Sequence, residues 1–277
     1  MLTLGLNQVS KQITPFDLIA IIKASLQERN LLLALDYDGT LVEYAPRPEL
    51  AQPTPELLRL LVPLAKMPGL HVLVISGRPL KEIKTLLPIP GLNYLGSHGG
   101  EGCIAGHSWA FQEERHLGVI LREFQQDLAA HLAGCQGWWI EEKPLGLVLH
   151  YRLATPQQEA MIRRSIESWL RKVIREQQFA ILDGRKGIEL LPLGVSKGAA
   201  LGKVLAFEET LPFFPVCLGD DHSDESAFQT VQMHGGLGIK VGGDHESSSA
   251  IYAFSHLEEV QAFLRLLTSA MNHRRRL

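Results

Sequence analysis

A chain of 277 residues, 45% of them apolar and 21% charged, has material for one large domain or two moderate ones and the composition of an ordinary soluble globular enzyme. Its formal net charge of −3 excludes the concentrated basic face of a nucleic-acid binder, and the one basic run, Arg274-Arg275-Arg276, reads as a solvated terminus. Three isolated cysteines, Cys103, Cys135 and Cys217, argue against a disulfide framework and a zinc knuckle, and no stretch reaches the roughly 18 apolar residues of a membrane span.

At the N-terminus, Lys11, Asp17 and Lys23 interrupt the place where a secretory leader needs an apolar run, so a cytoplasmic protein with no membrane partner is expected. Residues 13–29 place Phe16, Ile19, Ile22 and Leu26 at helical spacing, which predicts a helix packed on the first strand. That strand is Leu31 to Leu35, an uncharged run ending in Asp36, Asp38, Gly39 and Thr40. Such a run fits a strand covered on both faces of a parallel sheet, with its acids at the C-terminal edge, where strand-exit loops form the ligand crevice. Asp36 and Asp38 are two apart and point the same way, so one can attack a bound group while the other manages a proton. A plain Asp-Gly turn is the alternative.

Pro46, Pro48, Pro53 and Pro55 mark a loop, and Thr54 caps a helix running to about Lys66. His71 to Ile75 is a second strand. Its exit, Ser76-Gly77-Arg78, offers a hydroxyl and main-chain N–H groups to phosphate oxygens, unless Ser76 only caps the next helix. Residues 93–101 (NYLGSHGGE) give a third strand with a glycine-rich exit. From about Ala105 the pattern becomes more polar, with alternation around 108–111 and 138–152, a helix from Glu114 to Leu132, and a second helix opened by a Thr155–Gln158 capping box. Two helices and about four strands predict a small α+β module inserted into the parallel-sheet domain, with bounds of 1–104, 105–187 and 188–277 for the three pieces. After Glu189 the parallel pattern is expected to resume. Ser196-Lys197-Gly198 opens a helix, and Phe214 to Leu218 is a strand ending in the acids Asp220, Asp221, Asp224 and Glu225. Residues 236–241 and 250–254 give short strands, and a Ser255–Glu258 capping box starts the last helix.

Read together, these exits collect Asp36, Asp38, Ser76, Lys197 and the 220–224 acids. Carboxylates sharing a crevice raise one another's proton affinity unless a cation joins them, and Mg²⁺ accepts one or two carboxylates plus a phosphate. Asp36 can then attack phosphorus to give an aspartyl-phosphate, Asp38 can serve as acid and then base, and Ser76 and Lys197 can hold the equatorial oxygens.

DxDGT, a strand-end serine, a helix-start lysine and GDDxxDE, in this order, resemble the haloacid dehalogenase (HAD) superfamily of aspartate-nucleophile phosphatases. In detail the chain is similar to the trehalose-6-phosphate phosphatase family through LDYDGTL, VISGRP, GSHGGE, EEKPLGLVLHYR, IELLPLGVSKGAAL and LGDDHSDESAF, which cover most of its length. The resemblance implies an α/β fold, with a HAD-like Rossmannoid core and an inserted α+β cap of the C2 type that closes over the substrate. It implies Asp36 as nucleophile, Asp38 as acid/base, and Mg²⁺ held by Asp36, the Asp38 carbonyl and Asp220, with Asp224 supporting directly or through water. Thr40, Gly77 and Arg78 are expected at the substrate. Glu141 and Lys143, with Glu189, are expected on glucose hydroxyls, although Glu142 is the alternative to Glu141, His150 is expected to be structural, and Arg185 is a weaker candidate. The activity implied is hydrolysis of trehalose 6-phosphate, the last step of trehalose biosynthesis, with a trehalose-6-phosphate synthase as a pathway partner. Leu191 stands where many members carry a basic residue, and His222-Ser223 where a threonine often precedes the second aspartate, which leaves the sugar preference open. The alternatives are a phosphatase for mannosyl- or glucosyl-phosphoglycerate or for sucrose phosphate, and a silent sugar-phosphate-binding regulatory domain. Intact Asp36, Asp38, Lys197 and Asp220 argue against the silent domain.

Overall fold

The computed structural model describes residues 10–26, 29–111, 117–176, 179–184, 186–206, 212–242 and 248–274. Arg185, Arg275, Arg276 and the start of the helix expected from Glu114 lie outside these residues. The first part of the chain alternates β1 (Lys11–Gln12), α1 (Pro15–Leu26), β2 (Asn30–Asp36), α2 (Pro55–Ala65), β3 (Leu70–Ile75), α3 (Leu80–Leu86) and β4 (Asn93–Gly96), then adds β5 (Glu101–Ile104) and β6 (His107–Ala110). The middle holds α4 (Leu117–His131), β7 (Trp139–Lys143), β8 (Gly146–His150), α5 (Pro156–Ser165), α6 (Glu167–Glu176), β9 (Phe179–Gly184) and β10 (Gly187–Pro192). The last part holds α7 (Lys197–Ala206), β11 (Phe213–Gly219), α8 (Glu225–Met233), β12 (Leu237–Val241), β13 (Tyr252–Phe254) and α9 (Leu257–Arg274).

Two compact units result, one of residues 1–109 and 196–277, the other of residues 110–195. In the first, nine strands form one sheet in the order β1-β13-β12-β11-β2-β3-β4-β5-β6. It is parallel from β1 to β4, and β5 runs antiparallel to β4. β2 is buried over all but its first residue, as its uncharged run predicts. Leu31, Leu33 and Leu35 pack into one apolar cluster with α1, α2 and α9. Leu32 and Ala34 pack into another with Leu201 of α7 and Phe228 of α8. Both faces of the sheet are thus covered, the condition under which a parallel strand carries no polar alternation. Register pairs Asp36 with Ile75 and Leu35 with Leu218, so β2, β3 and β11 end flush and their exit loops leave from one edge.

In the second unit four antiparallel strands run in the order β7-β8-β10-β9. Leu147, Leu149, Ile188 and Leu190 face Phe124 and Leu128 of α4, Ile162 of α5 and Trp169 of α6. By strand alternation Glu141, Lys143, Val148, His150 and Glu189 stand on the opposite face. Glu141 and Glu189 are register partners of the same residue, Val148.

Several expectations are corrected. The parallel pattern does resume after Glu189, with α7 and β11, but the core piece does not begin at 188, because β10 pairs with β8 and β9, and the module does not begin at 105, because β5 and β6 extend the core sheet. Three helices rather than two serve the module among the described residues, since Ile166 separates α5 from α6. β8 is buried throughout instead of alternating. Phe16 is 72% exposed, because the buried stripe of α1 is Leu18, Ile19, Ile22 and Leu26 and Phe16 falls on its flank. Thr155 does cap α5, but Gln158 accepts from Gln136 N instead of closing the box. At α9 it is Glu259, not Glu258, that reaches back to Ser255 N.

Candidate active site

The flush edge of β2, β3 and β11 brings Asp36, Asp38, Ser76 and Asp220 to one side of the core unit, and the start of α7 adds Lys197. Lys197 is 3% exposed, and its Nζ donates to Asp36 Oδ1 at 2.7 Å and Asp224 Oδ1 at 2.8 Å. Asp224 Oδ2 accepts from the main-chain N–H groups of Asp220 and Asp221, both at 3.1 Å. Asp221 turns away to cap the short turn His222–Asp224, accepting from Ser223 N and Oγ. One carboxylate oxygen from each of Asp36, Asp220 and Asp224 lies within 4.8 Å of the others.

Burial, together with Asp224, Asp220 and Asp221, holds the Asp36 carboxyl well above its ordinary range against the opposing pull of Lys197. Asp220 is pushed up to about 8 by burial and then by Asp221 and Asp224. Burial opposes a charge on Lys197, yet Asp224 and Asp36 keep it an ammonium. One ammonium thus faces several carboxylates. The all-oxygen donor set, with carboxyl groups outnumbering the ammonium, fits a hard divalent cation that takes the place of their protons.

Gly39, at φ 89°, carries the β2 exit over this cluster, and a Cβ there would lie 2.4 Å from Asp220 Oδ2. Thr40, fully buried, directs its hydroxyl at Asp220 Oδ1 at 3.5 Å. Arg78 grips Asp38 with two parallel hydrogen bonds of 2.8 Å, donates to Pro48 O at 2.7 Å and pairs with Glu82. The structure therefore engages Arg78, expected at the substrate, with the proposed acid/base. Ser76 does not cap α3, which starts four residues later. Its Oγ instead accepts from Arg78 N at 3.1 Å within the exit turn. Gly77 lies under the His98 ring, whose Nε2 would be 2.6 Å from a Cβ.

In the other unit His150 Nε2 meets Glu141 Oε2 at 2.6 Å, and its ring stacks on Trp139 at 4.6 Å. Lys143 Nζ donates to Glu189 Oε1 at 3.0 Å. Although burial works the other way, the His150 hydrogen bond and Lys143 hold the Glu141 carboxyl below its ordinary range. Glu141, not the exposed Glu142, shares the face of Lys143 and Glu189.

Two residues near the acids escape motif reading. His98 lies inside GSHGGE and is buried in a left-handed conformation. Tyr44, on the proline-rich loop, hydrogen-bonds Asp220, and no periodicity or capping signal marks it.

The trehalose-phosphatase family model matches residues 34–261. The trehalose-6-phosphate phosphatase of Escherichia coli K12 is 31% identical over 248 residues, covering 87% of each chain. A bifunctional trehalose-6-phosphate synthase/phosphatase of Thermoproteus tenax is 32% identical over 220 residues, and the match takes in 76% of this chain and 28% of that protein's length. The C-terminal domain of Candida albicans trehalose-6-phosphate phosphatase superposes with a TM-score of 0.84 at 24% identity, over 95% of this chain and 99% of that one. The fold is of the HAD phosphatase type. A family match spanning most of the sequence, on a fold whose acid cluster and lysine bridge gather at one sheet edge, places the chain in the trehalose-phosphatase family of phosphoric monoester hydrolases.

Proposed function

We propose that this chain hydrolyses trehalose 6-phosphate to trehalose and phosphate, with Mg²⁺ as cofactor and an aspartyl-phosphate on Asp36. The observation that carries the reading is the buried Lys197 bridge, which fixes Asp36 and Asp224 beside Asp220, three carboxyl groups to one ammonium. Asp36, the main-chain carbonyl of Asp38 and Asp220 would hold the ion. Asp224, with both oxygens engaged, acts by orienting its neighbours. Bound Mg²⁺ supplies the charge neutralisation that lets a carboxylate approach a phosphate dianion.

Asp36 attacks phosphorus, forming an oxygen–phosphorus bond as the bond to the sugar oxygen breaks, and Asp38 gives its proton to the departing alkoxide. Water, giving a proton to Asp38, then attacks the aspartyl-phosphate, releasing phosphate and restoring Asp36. Lys197, Ser76 and the Gly77 N–H hold phosphoryl oxygens, Thr40 works through Asp220, and Arg78 orients Asp38. Glu141, Lys143 and Glu189 accept from and donate to sugar hydroxyls. A trehalose-6-phosphate synthase is the expected pathway partner, a reading supported by the bifunctional relative. A cytoplasmic location belongs to the same reading and suits the three free cysteines.

With Mg²⁺, phosphate release from trehalose 6-phosphate is expected to be far faster than from glucose 6-phosphate, and EDTA is expected to stop it. Equal rates on both would replace this reading with a general sugar phosphatase. Asp36→Asn is expected to abolish turnover with the fold intact, and turnover near wild type would remove the proposed nucleophile.

A further inference from the structure

We propose that His150 is a positioning residue for Glu141, holding one oxygen of this carboxylate so that the other is presented to a sugar hydroxyl. The proposal rests on the reading of Glu141 as a sugar ligand. His150 Nε2 stands 2.6 Å from Glu141 Oε2, and because a carboxylate only accepts, Nε2 carries the hydrogen. The bond joins β8 to β7 on the sheet face opposite the apolar cluster, between a buried ring and a Glu141 side chain that is 31% exposed. A ring kept for the fold alone does not explain its surroundings. Nδ1 is buried without a hydrogen-bond partner, which costs stability, and Gly187, the register partner of His150 on β10, offers that nitrogen no side chain. The other register partner, Trp139 on β7, stacks on the imidazole with centroids 4.6 Å apart and planes 18° from parallel. Packing thus sets the plane of the ring, and its hydrogen bond is directed at Glu141.

The carboxylate has a competing neighbour. Lys143 lies two residues along β7 on the same face, where its Nζ donates to Glu189 Oε1 at 3.0 Å. A Glu141 that swung onto this ammonium would tie up an acid and a base that both serve hydroxyls. The His150 bond holds Oε2 off Lys143. Lys143 then stays with Glu189, and the two carboxylates remain on either side of Val148, their common register partner, as separate acceptors. A carboxylate already held by one oxygen also loses less rotational freedom when a sugar binds, so the bond contributes to affinity by preorganisation.

The test is steady-state hydrolysis of trehalose 6-phosphate by the full-length protein with Mg²⁺, with thermal unfolding as the control for the fold. His150→Phe keeps a flat ring against Trp139 and removes the donor. His150→Asn keeps a polar side chain too short to reach Glu141, and His150→Gln restores an N–H at the place of Nε2. A hydrogen bond to a charged group is typically worth about 10-fold in binding, so the Phe and Asn variants should raise KM by about 10-fold and change kcat much less. The Gln variant should recover most of that loss. In a Glu141→Ala background, His150→Phe should add nothing, because the group it positions is gone. A wild-type KM in both donor-free variants, no recovery with Gln, or an undiminished loss in the Glu141→Ala background overturns the proposal while leaving Glu141 a sugar ligand. A wild-type KM in Glu141→Ala itself overturns both.

Discussion

At Lys197 one side chain holds two buried carboxylates, so its removal shows how much of this site is stability and how much is chemistry. Lys197→Met leaves Asp36 and Asp224 without their ammonium, a kind of change that typically destabilises by about 3–5 kcal/mol. Urea unfolding of metal-free wild type and variant measures this loss, and an unchanged midpoint would deny the bridge its structural role. Asp220 allows a proton count. With its carboxyl pushed up to about 8, it is largely protonated at pH 7 in the metal-free protein, so Mg²⁺ must displace a proton to bind. Affinity then rises with pH through about 8 as this proton is lost. Calorimetric heats at pH 7 should vary with the buffer's ionisation enthalpy. Identical heats in all buffers at pH 7 would refute the raised proton affinity. Asp36, Lys197 and Asp220 were legible because each sits beside its own local signal, an apolar run or a helix start. Tyr44 was not, because only the folded loop brings it to Asp220.

Among the elements, α7 owes its position to a glycine. Gly99 has φ 91°, and a Cβ there would lie 2.2 Å from Ala200 Cβ, one turn along from Lys197. Gly99→Ala is therefore expected to destabilise by about 1–3 kcal/mol through overpacking, with left-handed strain added, and to lower kcat by shifting Lys197. Adding Ala200→Gly removes the collision and not the strain, so the double variant should recover part of both losses. No recovery would mean that the contact does not set the helix. Element ends were readable where the signal is complete within one turn, as at Thr54, whose Oγ1 accepts from Leu57 N at 3.2 Å. They were misread where another partner competes: remote Gln136 takes the Gln158 side chain, and neighbouring Glu259 displaces Glu258.

For the whole molecule, the alternation of parallel-strand patterns and the polar insertion made the two-unit plan legible, but not its seams. The bounds expected from sequence put IELLP with the core piece 188–277, and its true partners, β8 and β9, are recognisable only through register. The seam has a direct test. Residues 110–195 are continuous in sequence and carry their own four-stranded sheet and apolar cluster, so this fragment alone should unfold cooperatively and give a dispersed amide spectrum. A fragment cut at 105–187 loses all of β10 but its first residue. That strand lies between β8 and β9 and contributes Ile188 and Leu190 to the cluster, so β9 loses the strand it pairs with among the described residues and the core loses part of one wall. The shorter cut should give a broad transition and collapsed amide dispersion. If it folded as well as 110–195, β10 would not be the strand that closes this unit.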